Sequence, residues 1–352
     1  MKIDRKLLLV LLMAAACMIG AAARAEDDEI ISPDVAATGP SQESLDAACA
    51  KYAERFNLLS SWLATPRSAE KDAKEREQAL KLIDEPLLYD DAKELPCVGA
   101  FFRSRMNVFM KSFKSAKVDS GLIIWKLYNH TEIIQTKSTK IAIDLYGGYE
   151  QVAWDEAQLR EVVGMVDALL VTHPHADHYD RKTIDMFVKA GKPVVVPYLF
   201  MKDYPDNDKL TVMREGELKI GDITVKVFPS YQKKEMDNVY LLTTDEGYKV
   251  MHLGDENEFG QPGHEWYSKL KPFDIDILIP NIWTPNMATL LRVVKPKLIF
   301  SSHEHEVGHP SSGRRSYDYV YKVLRTIKVP YAVPMWGESV RWPLVPGEPP
   351  AK

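Results

Sequence analysis

The chain has 352 residues, 45% hydrophobic and 27% charged, with a formal net charge of −5. That balance suits a globular protein with one large domain, or one domain plus an extension. A net-acidic chain without a block of Lys and Arg argues against nucleic acid as a partner, because phosphate binding needs clustered cations.

The first residues read as a targeting segment. Lys2, Arg5 and Lys6 precede the apolar "LLLVLLMAAACMIG", and Ala23-Arg24-Ala25 supplies a small-x-small cleavage site. Residues 1–25 are therefore expected to be a secretory signal peptide, leaving no integral membrane span after cleavage and directing the protein to the bacterial periplasm or the exterior. Loss of Lys2, Arg5, Lys6 and Arg24 together with Asp4 removes a net +3, so the mature chain moves from −5 to −8. Two cysteines then remain, Cys49 and Cys97, and an even pair in an exported protein predicts a disulfide.

Residues 26–42 are polar, with two prolines, and read as a flexible leader. Leu45, Cys49, Tyr52, Phe56, Leu59 and Leu63 recur at steps of three and four, one face of an amphipathic helix. The charged "SAEKDAKEREQALKLID" between Pro66 and Pro86 predicts another, so residues 43–113 form a helical extension. The pattern changes near Gly121. "GLIIWKLYNHTEIIQTKSTKIAIDLYGG", "ELKIGDITVKVF" and "NVYLLTTDEGYKVMHLGD" read as hairpins. "PVVVP", "IDILIP" and "KLIFSS" read as strands, and "RKTIDMFVKAG", "NMATLLRVV" and "RRSYDYVYKVLRTI" as helices. Residues 114–345 thus predict an α/β layered sandwich around two sheets, and residues 346–352 a disordered tail.

The chemistry is concentrated in "LLVTHPHADHYD", residues 169–180. In an extended loop His173 and His175 point the same way. Asp177 and His178 fall where the loop turns into the next helix and can aim at a second point. Neutral imidazoles with a carboxylate suit Zn2+ or a similar divalent ion, with Mn2+ and Fe2+ also compatible. The spacing predicts two adjacent metal positions, one on His173 and His175 and the other on Asp177 and His178.

With that H-x-H-x-D-H loop the chain resembles the metallo-β-lactamase-fold hydrolases, over roughly residues 120–340 and closest to their lactonase- and phosphodiesterase-like branch. The resemblance implies a four-layer αββα sandwich with metals where the two sheets meet. It implies that Asp255 in "VMHLGDENE" bridges both metals, that His303 in "KLIFSSHEHE" is the last ligand of the second, and that Asp144 in "IAIDLYGG" braces the site. It also implies a further histidine between the loop and Asp255, yet residues 179–251 contain none. Gln232 falls at that position in "FPSYQKKEMDNVYLL", with Tyr231 beside it as a substitute. His252 reads as structural, while His130, His305 and His309 are candidates for contact with substrate, and Arg314 and Arg315 either clamp an anion or are ordinary solvated residues.

The function these residues imply is an exported metal-dependent hydrolase using a metal-bound hydroxide, oriented by Asp177, on an ester, lactone or phosphodiester of a small or lipid-like molecule; β-lactam turnover is not expected with a carboxylate at Asp255. The competing reading is a degenerate single-metal binding protein whose helical extension docks a partner.

Overall fold

The structure, a computed structural model, describes residues 40–64, 73–198, 200, 207–232, 235–256, 273–284 and 287–344, with the side chains of 231–236 left undescribed. The predicted signal peptide, most of the leader and the tail lie outside these residues. Within the described residues no helix is long and apolar enough to cross a membrane.

The extension is helical, as its periodicity predicts: α1 (Gln42–Ala64), α2 (Ala73–Lys81), the single turn α3 (Asp84–Leu87) and α4 (Pro96–Ser115). Strands β1 (Leu122–Lys126), β2 (Glu132–Gln135) and β3 (Lys140–Ile143) follow, then α5 (Glu156–Met165), β4 (Ala168–Leu170), α6 (Arg181–Lys189), β5 (Val194–Pro197) and β6 (Thr211–Met213). The second half holds β7 (Gly216–Ile220), β8 (Ile223–Gln232), β9 (Glu235–Thr244), β10 (Lys249–His252), β11 (Ile277–Ile279), α7 (Met287–Val294), β12 (Leu298–Phe300), α8 (Tyr317–Leu324), β13 (Tyr331–Ala332) and β14 (Ser339–Trp342).

These strands make two seven-stranded sheets, ordered β14-β1-β2-β3-β4-β5-β6 and β13-β12-β11-β10-β9-β8-β7. Each opens with an antiparallel meander (β1–β3, β7–β10) and continues with parallel strands (β3–β6, β10–β13). Alternation along the strands sorts the apolar residues. Ile124, Ile134, Ile141, Leu170, Val225, Tyr240, Val250 and Ile277 fill the space between the sheets. Ile123, Trp125, Ile133, Leu169, Val239, Met251 and Leu278 belong to the larger cluster shared with the helices. Strands buried on both faces explain why they read as continuous apolar runs.

The extension is part of this sandwich. Phe109 and Phe113 of α4 meet Trp125 edge-on at 5.7 and 5.4 Å, and Phe56 of α1 lies 5.0 Å from Phe101. Cys49 and Cys97 form the predicted disulfide between α1 and α4, 48 residues apart. Closing a loop of that length removes about 4 kcal/mol of chain entropy from the unfolded state in the loop-closure account.

Candidate metal centre

Every predicted ligand lies at the carboxyl end of a strand, where the two sheets approach: the loop 173–178 after β4, Asp255 after β10 and His303 after β12. The sheets are tied at this edge by the Asn238 N–H, which donates to the Thr172 carbonyl at 2.8 Å. Two groups of donors result, each converging within 4.8 Å: His173, His175 and Asp255, and Asp177, His178 and His303. Asp255 faces both. Its Oδ2 lies 3.8 Å from His173 Nε2, while its Oδ1 lies 3.5 Å from His178 Nε2 and 3.2 Å from His303 Nε2.

The hydrogen-bond network around these residues places a proton on Nδ1 of His173 and of His178. Asp144 follows β3 with a left-handed backbone (φ 51°). It accepts the Thr172 N–H and the Thr172 hydroxyl, both at 2.7 Å, and His178 Nδ1–H at 2.8 Å. Because the Thr172 hydroxyl gives its proton to Asp144, its oxygen accepts from His173 Nδ1 at 2.9 Å. His173 therefore carries its proton on Nδ1 and presents a bare Nε2, and His178, whose Nδ1–H is given to Asp144, has only its Nε2 to offer a metal. The Nε2 atoms of His173, His178 and His303 are buried with no hydrogen-bond partner. Three buried imidazole nitrogens turned towards two carboxylates, none hydrogen-bonded among the described residues, are the donor set a divalent cation requires once they give up their protons, so the residues fit the metals implied by the loop.

Two asparagines that the sequence did not single out orient the carboxylates. Asn129, fully buried and left-handed (φ 59°), donates from Nδ2 to Asp177 Oδ2 at 2.9 Å. Asn281 donates to Asp255 Oδ1 at 2.9 Å and accepts the Trp283 N–H at 2.9 Å. The electrostatics follow the packing. Burial pushes the Asp177 and Asp255 carboxyls up, but the facing rings of His178 and His303 more than reverse this and hold both well below the usual range. Burial lowers His303, and Asp255 and Asp177 overcome it, raising the ring to about 9. His173 is pushed well below its usual value by burial and by His178.

Other histidines have separate places. His130, His252 and Glu132 also converge within 4.8 Å. However, the Gly254 N–H donates to His252 Nδ1 at 3.1 Å, so His252 Nε2–H donates to Glu132 at 2.9 Å and has no lone pair left for a metal. His130 bonds from Nε2 to the Gly254 carbonyl at 3.1 Å, and its ring lies 5.5 Å from that of His303. Buried Lys126 faces Glu132 at 3.3 Å and Glu304 at 3.5 Å, completing an ionic floor beneath the site. His305 is buried and bonds Asp84 of the extension at 2.7 Å, away from solvent. His309 stays one-third exposed, 5.0 Å from the Trp283 ring, which in turn lies 4.6 Å from His303.

The two arginines separate cleanly. Arg314 is buried, and its five N–H groups donate to the carbonyls of His309, Leu87, Tyr89, Asp90 and Val307, bolting the extension to the loop after His303. It is a structural clamp. Tyr231 and Gln232 lie in the hairpin of β8 and β9, and their side chains are outside the described residues. A candidate not foreseen from sequence stands close by. Asp237 on β9 is fully buried, both its oxygens lack a hydrogen-bond partner among the described residues, and burial together with Glu256 and Asp255 pushes it well above the usual carboxyl range.

Ligands from both sheets gathered at one sandwich edge define a metallo-β-lactamase-type fold. The family described as "Beta-lactamase superfamily domain" matches residues 126–303, half of the chain, and the chain belongs to it. It is similar to a UPF0173 protein of Pyrococcus abyssi, 30% identical over 139 residues, which is 38% of this chain and 59% of that protein. A UPF0173 protein of Pyrococcus furiosus is also 30% identical, over 129 residues, 35% of this chain and 55% of that protein. The chain thus spans little more than half the length of these relatives. In structure it resembles Igni18, a metallo hydrolase of Ignicoccus hospitalis, with a TM-score of 0.50 at 13% identity, over 64% of this chain and all of that one.

Proposed function

We propose that the protein is a metal-dependent hydrolase acting on an ester, lactone or phosphodiester. The observation that carries this reading is Asp255, one oxygen towards each donor group, with three buried imidazole nitrogens around it that no hydrogen bond occupies among the described residues. His173, His175 and Asp255 would hold one divalent ion, and Asp177, His178, His303 and Asp255 the other. Bound there, such an ion makes water acidic enough to attack at neutral pH and polarises a carbonyl or phosphoryl oxygen. The chain's own part is orientation and proton transfer. Asn129 fixes Asp177 Oδ2, and Asp177 Oδ1 has no protein partner among the described residues, so it can take a proton from attacking water. Asn281 keeps Asp255 between the two groups, and Trp283 walls the His303 side.

The mixed imidazole and carboxylate donors suit Zn2+ first, with Mn2+ or Fe2+ compatible. The disulfide supports an oxidising compartment, in keeping with export. A small or lipid-like substrate suits the aromatic face of Trp283 beside His303 and His309.

The test is hydrolysis of p-nitrophenyl butyrate, an aliphatic lactone and bis-p-nitrophenyl phosphate by protein stripped with a chelator and reloaded with Zn2+ or Mn2+. Turnover of at least one, lost on stripping and lost in Asp177→Ala, is expected. Stoichiometric metal with no turnover of any would favour the binding-protein reading.

A further inference from the structure

Among the described residues, the rim of the centre holds a cation, Arg315, that no carboxylate pairs with. Arg315 follows directly on Arg314, and in the extended loop the two side chains leave on opposite sides. Arg314 goes to the extension. Arg315 stays with the metal loop, its carbonyl accepting the His305 N–H at 3.1 Å. Its guanidinium lies over the Trp283 ring at 5.7 Å and the Tyr319 ring at 5.1 Å. Among the described residues only one hydrogen bond leaves the guanidinium, a long one of 3.4 Å to the Gly313 carbonyl. Its Nε is buried with no partner, and no carboxylate pairs with it among the described residues.

Two aromatic faces hold such a group flat and in place while leaving its N–H edges free, the arrangement in which Arg takes a carboxylate or phosphate bidentately. The connection to the metal site is short. Trp283 donates from Nε1 to the His303 carbonyl at 3.1 Å, and its backbone N–H is held by Asn281, the partner of Asp255. His309, partly exposed against the same indole, adds a second imidazole to this rim. His173, His178, Asp255 and His303 are fully buried, whereas Arg315 and His309 are partly exposed; this rim is where a substrate's remote end would lie.

We propose that the substrate carries an anionic group, a carboxylate or phosphate, away from the bond that is cleaved, and that Arg315 binds it against the Trp283 face. The proposal rests on the hydrolase reading for the site but not for its test. An anion at this point fixes the other end of the molecule over Asp255, so remote binding positions the reacting group.

The experiment is calorimetric binding of two stable analogues to the metal-loaded full-length protein, glutaryl-p-nitroanilide and the neutral butyryl-p-nitroanilide, beside turnover of the matching p-nitrophenyl esters. The glutaryl compound should bind about tenfold more tightly, the effect of one charge-assisted pair. Arg315→Met keeps an aliphatic chain between Trp283 and Tyr319 and should bind the two alike; Arg315→Lys should keep part of the preference, since it retains charge without the planar fork. Equal binding by the wild type, or a preference that survives in Arg315→Met with the fold intact by near-ultraviolet circular dichroism, overturns the proposal. The preference without turnover of either ester would leave Arg315 as an anion site and count against ester hydrolysis. Turnover without the preference would do the reverse.

Discussion

Asp144→Asn tests the tautomer argument more sharply than loss of any ligand, because it changes no ligand and almost no volume. Asp144 accepts three hydrogen bonds, at 2.7, 2.7 and 2.8 Å, from the Thr172 N–H, the Thr172 hydroxyl and His178 Nδ1. An asparagine has one oxygen and one NH2. With the NH2 in place of Oδ2 it faces two donors. His178 must then turn its lone pair to Nδ1 and put its proton on Nε2, and the Thr172 hydroxyl must turn towards His173 Nδ1, which moves that ring's proton to Nε2 as well. With the NH2 in place of Oδ1 it meets the Thr172 N–H instead, at a fully buried position. The second arrangement leaves one buried donor facing another, and the first caps a ligand lone pair at both metal positions. Loss of a residue that orients a ligating histidine costs 10–100-fold in metal affinity, about 1.4–2.7 kcal/mol. Competition for Zn2+ against a chromophoric chelator should show a loss at the upper end of that range, with Asp144→Ala losing less, since it opens space and imposes no wrong tautomer. Zn2+ affinity within twofold of wild type in a folded Asp144→Asn protein would refute the assignment of protons to His173 Nδ1 and His178 Nδ1.

Metal uptake should expel protons. In the metal-free protein His303 is raised to about 9, because Asp255 and Asp177 more than offset its burial, and His178 is raised well above its usual value by Asp177, Asp255 and Asp144 against the same burial. Both rings then hold protons at pH 7, so apparent affinity should rise with pH until about 9, and calorimetry in buffers of different ionisation enthalpy should find proton release; none would count against this charge state. The same shift has a sign for stability: a folded value near 9 against about 6.5 unfolded stabilises the metal-free protein fully below about 6.5, and that contribution fades as pH rises through 9. Asp237 behaves oppositely to a paired carboxylate. Raised by burial and by Glu256 and Asp255, it favours the protonated fold, so its cost grows as pH rises above the unfolded carboxyl value. Metal-free Asp237→Asn should therefore be more stable than wild type at pH 8 by urea denaturation, with the gap closing towards pH 4; a gap independent of pH would sink the argument. Arg314→Met should lower stability by about 3 kcal/mol in the same assay, because it strands five carbonyls that one buried guanidinium now satisfies.

What could be read from the chain, and what could not, divides along a physical line. The helices of the extension, the hairpins and the loop after β4 were legible because each depends on residues near one another in sequence: a period of three and four from Leu45 to Leu63, apolar runs in "GLIIWKLY", and H-x-H-x-D-H with its period of two. The edge strand β14 was not, since "SVRW" gives a weak signal alone and becomes a strand by pairing with β1, more than two hundred residues earlier. Asn129 was passed over for a similar reason. Its amide reaches Asp177 only because a left-handed backbone turns it across 48 residues of chain, and a short polar "YNHT" reads equally well as an ordinary turn. Arg314 and Arg315 show the limit most clearly. Adjacent, identical and equally ambiguous in the sequence, they differ because extended backbone sends one side chain into five carbonyls and the other across an indole. The ligands of a metal centre can be recognised by their spacing, since they must converge on a point that local geometry sets. The residues that aim those ligands, and the ones that select what is brought to them, come from whichever element the fold lays alongside. For this protein those are the turn after β1, the segment after β3, the loop after β11 and the loop after His303, and the chemistry of substrate choice is to be sought there.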